Sequence, residues 1–366
     1  MSTCSIRVYC RLISERMKKR NVAIWIIVLV SAALYGFGGV NKYFLISPED
    51  VELKVPRGFP KPNYRFKDNK PTPEIFVLGR KLFYDPVLSK DSTISCGSCH
   101  QRIAAFGHID HALSHGINGL IGKRNVPALQ NLIWKDAFMW DGGVNHLEVQ
   151  PLSPITNPIE MNESMAHVIE KLKHNKAYAE EFRVAFGDSD MTSQHLLRAL
   201  AQFTGLMISA NSRYDRFMRG EDTFSISEKS GLELFRAKCA SCHEEPLFTD
   251  NRYRNNGLAP DTGLKDKGRS AISGAQFDEY KFLVPGLRNI EMTYPYMHDG
   301  RFRKLKNVLD YYSESRNFSP NTAKEMYEIG KLSEQDKKDI IAFLLTLTDK
   351  TFLYDRRFVD PNVSEP

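Results

Sequence analysis

Two short stretches, Cys96-Gly-Ser-Cys99-His100 and Cys239-Ala-Ser-Cys242-His243, decide how this sequence is read. Cys-x-x-Cys-His is the attachment motif of haem c: the two thiols add to the vinyl groups of the porphyrin, and the adjacent histidine binds the iron from the proximal side. The composition gives about 0.003 chance occurrences of the pattern, against two present. A zinc site would need a second ligand pair at each motif and no obligatory trailing histidine. A redox dithiol would sit in a βαβ context, and no such pattern flanks either motif. Four of the six cysteines are used in this way. The others, Cys4 and Cys10, precede the first apolar segment, so no disulfide framework remains.

The chain repeats itself around each motif. The first copy reads Gly79-Arg-Lys-Leu82-Phe83, the first haem motif, Val126-Pro127-Ala-Leu129-Gln-Asn131 and Met139-Trp140-Asp141-Gly142. The second reads Gly231-Leu-Glu-Leu234-Phe235, the second motif, Val284-Pro285-Gly-Leu287-Arg-Asn289 and Met297-His298-Asp299-Gly300. Val126 precedes Asp141 by 15 positions, and Val284 precedes Asp299 by 15. A repeat of this kind implies duplication. The expected fold is mainly α, with two cytochrome c-like haem domains at 74–225 and 226–366. Helical patterns cover 74–84, 164–186, 193–209, 227–238 and 333–348, with Ser227 and Ser333 read as caps. No alternation of β-branched residues predicts a substantial sheet. The long Gly-, Pro- and Asn-rich connections fit a compact domain only if a cofactor supplies part of the core.

Composition sets the outer limits. At 366 residues, 42% hydrophobic and 26% charged, the chain is globular rather than disordered, collagenous or polytopic in a membrane. Its net charge of +6 is misleading. Arg7, Arg11, Arg16, Lys18, Lys19 and Arg20 stand against Glu15 alone in the first 20 residues, leaving about +1 for the rest and no field for nucleic acid. Residues 22–40 form an uncharged run about 28 Å long as a helix, close to a bilayer's hydrocarbon thickness. The basic residues before it orient the amino terminus to the cytoplasm and send the remainder across. Residues 1–45 therefore read as a cytoplasmic tail and membrane anchor; a cleaved signal and a buried core helix are the alternatives. Met17 resembles a conventional start. Residues 46–73, with Pro48, Pro56, Pro60, Pro62, Pro71 and Pro73, read as an extended tether.

The order of these blocks resembles the bacterial di-haem cytochrome c peroxidases and the related MauG-type enzymes over roughly residues 72–348. The resemblance implies a peroxidatic haem held by Cys96, Cys99 and His100, an electron-transfer haem held by Cys239, Cys242 and His243, and a calcium ion between the domains. It makes Glu160, in Asn157-Pro-Ile-Glu160-Met161, the distal acid that moves a proton between peroxide oxygens. A carboxyl suits this task if burial raises its pKa. Gln150 matches a distal polar residue. His115 matches a loop histidine that blocks the peroxidatic iron in the oxidised resting form, with His108 and His111 as rivals. Trp140 matches an aromatic relay between the haems; Trp25 belongs to the apolar run, and Trp134 reads as core packing. The peroxidases carry a methionine on the second iron, about fourteen residues beyond the histidine of the Pro-Tyr-x-His block. Here that count from His298 reaches Tyr312, as in the MauG branch. Tyr311, Met297, Met292 and Met326 stay open as alternatives. Phenolate favours ferric iron, whereas a thioether raises the potential. Asn125, Thr293 and Pro295 match positions that give calcium an amide oxygen and two backbone carbonyls.

The expected function is reduction of hydrogen peroxide to water with electrons from a small cytochrome c or cupredoxin. The alternatives are a MauG-type oxidase of a protein or organic substrate working through high-valent haem, a non-enzymatic di-haem carrier, and a haem sensor or respiratory subunit. The amino-terminal segment and haem c maturation outside the cytoplasm imply a periplasmic location with an inner-membrane anchor, and the resemblance implies a homodimer.

Overall fold

In the computed structural model, residues 46–187, 190–314 and 318–363 are described. The apolar run at 22–40, with Cys4, Cys10 and Trp25, lies outside the described residues. Among the described residues, no helix is long and apolar enough to cross a membrane.

The main helices are α1 (Pro73–Tyr84), α2 (Met165–Lys173), α3 (Lys176–Phe186), α4 (Ser193–Gly205), α5 (Ile226–Lys238), α6 (Leu305–Glu314) and α7 (Glu334–Leu345). Local chemistry sets their ends. Thr72 caps α1 by accepting from Ile75 N, Pro73 occupies the first helical position, and Pro86 follows the end. The expected single helix at 164–186 is two, because Asn175 accepts from Ala177 N and Tyr178 N and starts a new one. Helix α5 is capped by Ser225, paired with Glu228, rather than by Ser227, whose hydroxyl instead donates to Asp339. Sequence periodicity did not reveal α6. Among the described residues, strand structure is limited to the two-residue pair β1 (Tyr253–Arg254) and β2 (Phe282–Leu283).

The duplication is visible in the packing. Helix α1 crosses α4 at Gly79, where a Cβ would lie 2.0 Å from Ala199 O; α5 crosses α7 at Gly231, where it would lie 1.9 Å from Asp339 O. Each crossing is sealed one turn later by an aromatic pair, Phe83–Phe203 at 5.1 Å and Phe235–Phe343 at 5.0 Å between centroids. Fully buried side chains such as Phe76, Leu82 and Phe343 contribute roughly 1.5–3 kcal/mol each. The two halves meet through matching bonds: Asn125 N donates to His298 O at 2.7 Å, and Leu283 N donates to Trp140 O at 2.7 Å.

Two boundaries differ from expectation. The tether is extended but packed, with Val51 and Phe66 only 1% and 3% exposed. Its prolines forbid regular structure without forbidding burial. Asn63 N and Tyr64 N both donate to Ile133 O, and Trp134 Nε1 donates to Pro60 O. At the other end, Phe352, Leu353 and Phe358 cross back into the core of the first half, and Tyr84 OH donates to Phe358 O at 2.7 Å.

Candidate functional site

At the first motif, Ser95 and Ser98 cap each other and wind Cys96–Cys99 into a single turn, which brings both thiols to one side. His100 follows, its Nδ1 donating to Phe106 O at 2.7 Å. That bond fixes the tautomer and leaves Nε2 as an electron-pair donor. Burial pulls the imidazole pKa down to about 4, so it stays neutral, as an iron ligand must. The second motif repeats the arrangement: His243 Nδ1 lies 3.0 Å from Phe248 O and 3.2 Å from Pro285 O, and burial lowers its pKa too. Burial also pushes the Cys96 and Cys239 thiols up to about 12. A redox dithiol requires the opposite shift.

Glu160 stands over the first motif. Burial raises its carboxyl pKa, and a hydrogen bond from Asn157 Nδ2 to Oε1 at 2.9 Å partly opposes the rise. Its charge in turn raises both Cys96 and Cys99, which places it beside the thiols. The loop carrying His115 is clamped between them: Cys99 Sγ donates to His115 O at 3.3 Å, and Ile117 N donates to Glu160 O at 2.8 Å. Gly116 sits where a Cβ would fall 1.8 Å from Ile159 O, so the loop needs glycine there. The His115 ring lies 4.0 Å from that of His111 and 6.0 Å from that of His108. Gln150 points elsewhere, its Nε2 meeting Met139 Sδ at 3.8 Å.

The second motif opens on a cavity of about 250 Å³ lined by Cys239, Cys242, His243, Tyr312, Met297 and Met326. Its walls are mostly apolar, yet Gln130 Oε1, Asn251 Oδ1 and Arg254 Nε lie buried in it without a hydrogen-bond partner among the described residues. Neutral imidazole, adjacent thiols, apolar walls and orphaned polar atoms together fit a haem. Burial pushes the Tyr312 hydroxyl up to about 12, and Asn256 Nδ2 reaches it at 3.3 Å. Two of the alternatives are engaged elsewhere. Tyr311 OH donates to Asn256 O, and Met292 packs against the core of the first half.

Trp140 lines the same cavity from the first half, and its Nε1 donates to Asn125 O at 2.8 Å. Asn125, Thr293 and Pro295 all line it as well. The Asn125 amide donates to Ala112 O, leaving its Oδ1 as an acceptor. Trp134 is core, at 2% exposure. Sequence reading missed Asn157, although it lies three positions before Glu160 in the quoted block. It also missed Asn256, which sits 56 positions before Tyr312 and carries no motif of its own.

Comparison with known proteins points one way. The pattern of the di-haem cytochrome c peroxidase family matches residues 73–223, and that of cytochrome c matches 229–348. The methylamine utilization protein MauG of Methylorubrum extorquens is 37% identical over 302 residues, covering 81% of this chain and 83% of its own. The cytochrome c551 peroxidase of Nitrosomonas europaea is 32% identical over 276 residues, covering 74% and 79%. The crystal structure of a MauG-like protein associated with microbial copper homeostasis matches with a TM-score of 0.78 at 32% identity, covering 85% of this chain and 99% of that one.

Proposed function

Because the chain belongs to the di-haem cytochrome c peroxidase and MauG family of oxidoreductases, we propose that it reduces hydrogen peroxide to water at the His100 centre. The balance is one peroxide, two protons and two electrons to two waters. Haem c bound at the two motifs supplies the iron that binds peroxide and the couple that stores electrons. Cys96, Cys99 and His100 would hold one haem, and Cys239, Cys242 and His243 the other, with the Tyr312 oxygen available to its iron.

The observation that carries this reading is Glu160, half-buried, oriented by Asn157 and beside the first motif. A carboxyl so placed takes a proton from one peroxide oxygen and returns it to the departing one. Gln150 assists on the distal side after a side-chain rotation away from Met139. His115 closes the first centre until electrons arrive. Trp140 links the two halves, and a calcium ion held by Asn125, Thr293 and Pro295 fixes it through Asn125 O. Electrons come from a small cytochrome c or cupredoxin. The chain is exported to the periplasm and anchored by residues 22–40, and it pairs as a homodimer.

The test is Glu160→Gln: about 10²–10⁴-fold slower peroxide consumption with both covalent haems retained. Unchanged turnover would remove the proton-transfer role. Tyr312 lining the second cavity favours a second reading, in which peroxide is spent on oxidising a protein or organic substrate, as in MauG-type enzymes. Oxidised product without net consumption of the reduced donor would select it.

A further inference from the structure

Lys135 lies in the first half of the chain but lines the cavity of the second motif. Its backbone is drawn there by Asn251 Nδ2, which donates to the neighbouring Trp134 O at 3.0 Å. The side chain is half-buried at the cavity wall, and burial pulls its ammonium down to about 8, with no charge among the described residues opposing the fall. The adjacent carboxylate, Asp136, accepts from Asn63 Nδ2 at 2.7 Å. The cavity wall carries four cations (Lys135, Lys238, Arg254 and Arg288) against one carboxylate, Glu325. Arg254 engages Asp250 and Glu325, and Arg288 engages Asp215. Lys135 has no acidic partner among the described residues.

A cation half-withdrawn from water on an apolar cavity wall, with no counter-charge beside it, is stabilised by an anion entering that cavity. The haem that the second motif attaches brings two propionate carboxylates into this cavity. We propose that Lys135 is the counter-ion of a propionate of the His243 haem, reaching across from the other half of the molecule. The inference rests on haem attachment at Cys239 and Cys242. Lys135 is then a positioning residue that ties the halves through the cofactor and tunes its potential. A cation beside the propionate opposes the extra negative charge gained on reduction less than a neutral neighbour would, and so favours the reduced form.

The test is redox titration of Lys135→Met, Lys135→Gln and Lys135→Arg holoproteins, followed at the band of the second haem, with covalent haem content measured in parallel. The Met and Gln variants should shift reduction of that haem about tenfold towards the oxidised form, ~59 mV for one electron. The Arg variant should keep the wild-type value, and the first haem should not move. Wild-type titration in Met and Gln with two haems attached overturns the proposal and leaves haem attachment intact. Should the Met variant fail to mature, Gln and Arg decide: equal values for both overturn the proposal. A wild type without covalent haem at the second motif overturns the premise instead.

Discussion

Asn157 Nδ2 donates to Glu160 Oε1 at 2.9 Å across a turn of three residues, holding a half-buried carboxyl beside the first haem motif. Burial raises the Glu160 pKa, and the Asn157 amide pulls it back in part. A base must be deprotonated to accept a proton, so turnover should fail on acidification at a higher pH than an ordinary carboxylate would dictate. Asn157→Ala removes the part that lowers the pKa. Its acid limb should therefore lie higher still, with turnover at neutral pH down about tenfold through lost orientation. A pH–rate profile that matches wild type would disconnect Asn157 from the chemistry.

Gly116 makes a second, independent claim on the same carboxyl. A Cβ there would meet Ile159 O at 1.8 Å and Glu160 O at 2.5 Å, both backbone atoms that cannot swing aside. Gly116→Ala should push the 114–117 loop away and break the bond from Ile117 N to Glu160 O. It should lower stability by about 1–3 kcal/mol and cut peroxide turnover. Gly119 is the control for backbone change alone: its φ is +69° and nothing lies within 4 Å of its Cβ position. Thermal melts and turnover for both alanine variants check this. Equal effects would show that loop strain, not displacement of Glu160, is what matters.

The haem motifs and the duplicated blocks were legible because covalent chemistry and close approach dictate residue type. Only cysteine can form the thioether, and only glycine fits where α1 and α5 cross their partners, since a Cβ there would lie 2.0 Å and 1.9 Å from a backbone oxygen. The packed path of residues 46–73 was not legible. Proline announces extended backbone but not what it packs on, and here Asn63 and Tyr64 bond to the distant Leu132–Trp134 turn while Val51 and Phe66 join the first core. The return of Phe352 and Phe358 into the first core was hidden for the same reason. Lys135 carries no motif, and its lack of a counter-charge is a property of the cavity and not of its neighbours in the chain.

Tyr312, proposed as the sixth ligand of the second iron, shares its cavity with Met297 and Met326. Tyr312→Phe removes the oxygen and keeps the ring, so packing changes little. The electron spin resonance signal and visible bands of the second haem should change while those of the first do not. An unaltered second-haem spectrum would reassign the ligand to a methionine, and Met297→Leu would then be the variant that alters it.

The buried pair Arg288–Asp215 joins the connection between the halves to the wall of the second cavity, with both contacts at 2.8 Å. Burial pushes the Asp215 carboxyl up, but the Arg288 guanidinium outweighs it and leaves the pKa below the ordinary carboxylate value. A depressed folded-state pKa contributes stability that is present above the unfolded value and lost as pH falls through the folded one. Arg288→Leu leaves a buried carboxylate without its cation, held only by the Ser212 hydroxyl and N–H, and should cost about 3–5 kcal/mol. It should also reverse the sign at Asp215, making the variant relatively more stable on acidification towards its now raised pKa. The double variant Arg288→Leu/Asp215→Leu should recover much of the loss. Denaturant titrations at two pH values check all three statements, and a double variant no better than the single one would mean that shape rather than charge is being lost.

Calcium, if held by Asn125, Thr293 and Pro295 as proposed, acts on Trp140 through one bond, Nε1 to Asn125 O at 2.8 Å. Asn125 is also tied by its backbone N to His298 O, so movement of this residue disturbs both halves at once. Removing the ion with a chelator should free the indole, change the tryptophan emission and slow donor-driven peroxide turnover by about tenfold, with recovery on adding Ca²⁺ but not Mg²⁺. Mg²⁺ demands tighter octahedral geometry and gives up water reluctantly, so backbone carbonyls at a loop junction suit it poorly. Asn125→Ala should reproduce the chelated state and no longer respond to Ca²⁺. Metal analysis that finds no calcium in the purified protein, together with chelator-insensitive turnover, would strike calcium from the site and leave the Trp140–Asn125 bond as a purely structural link.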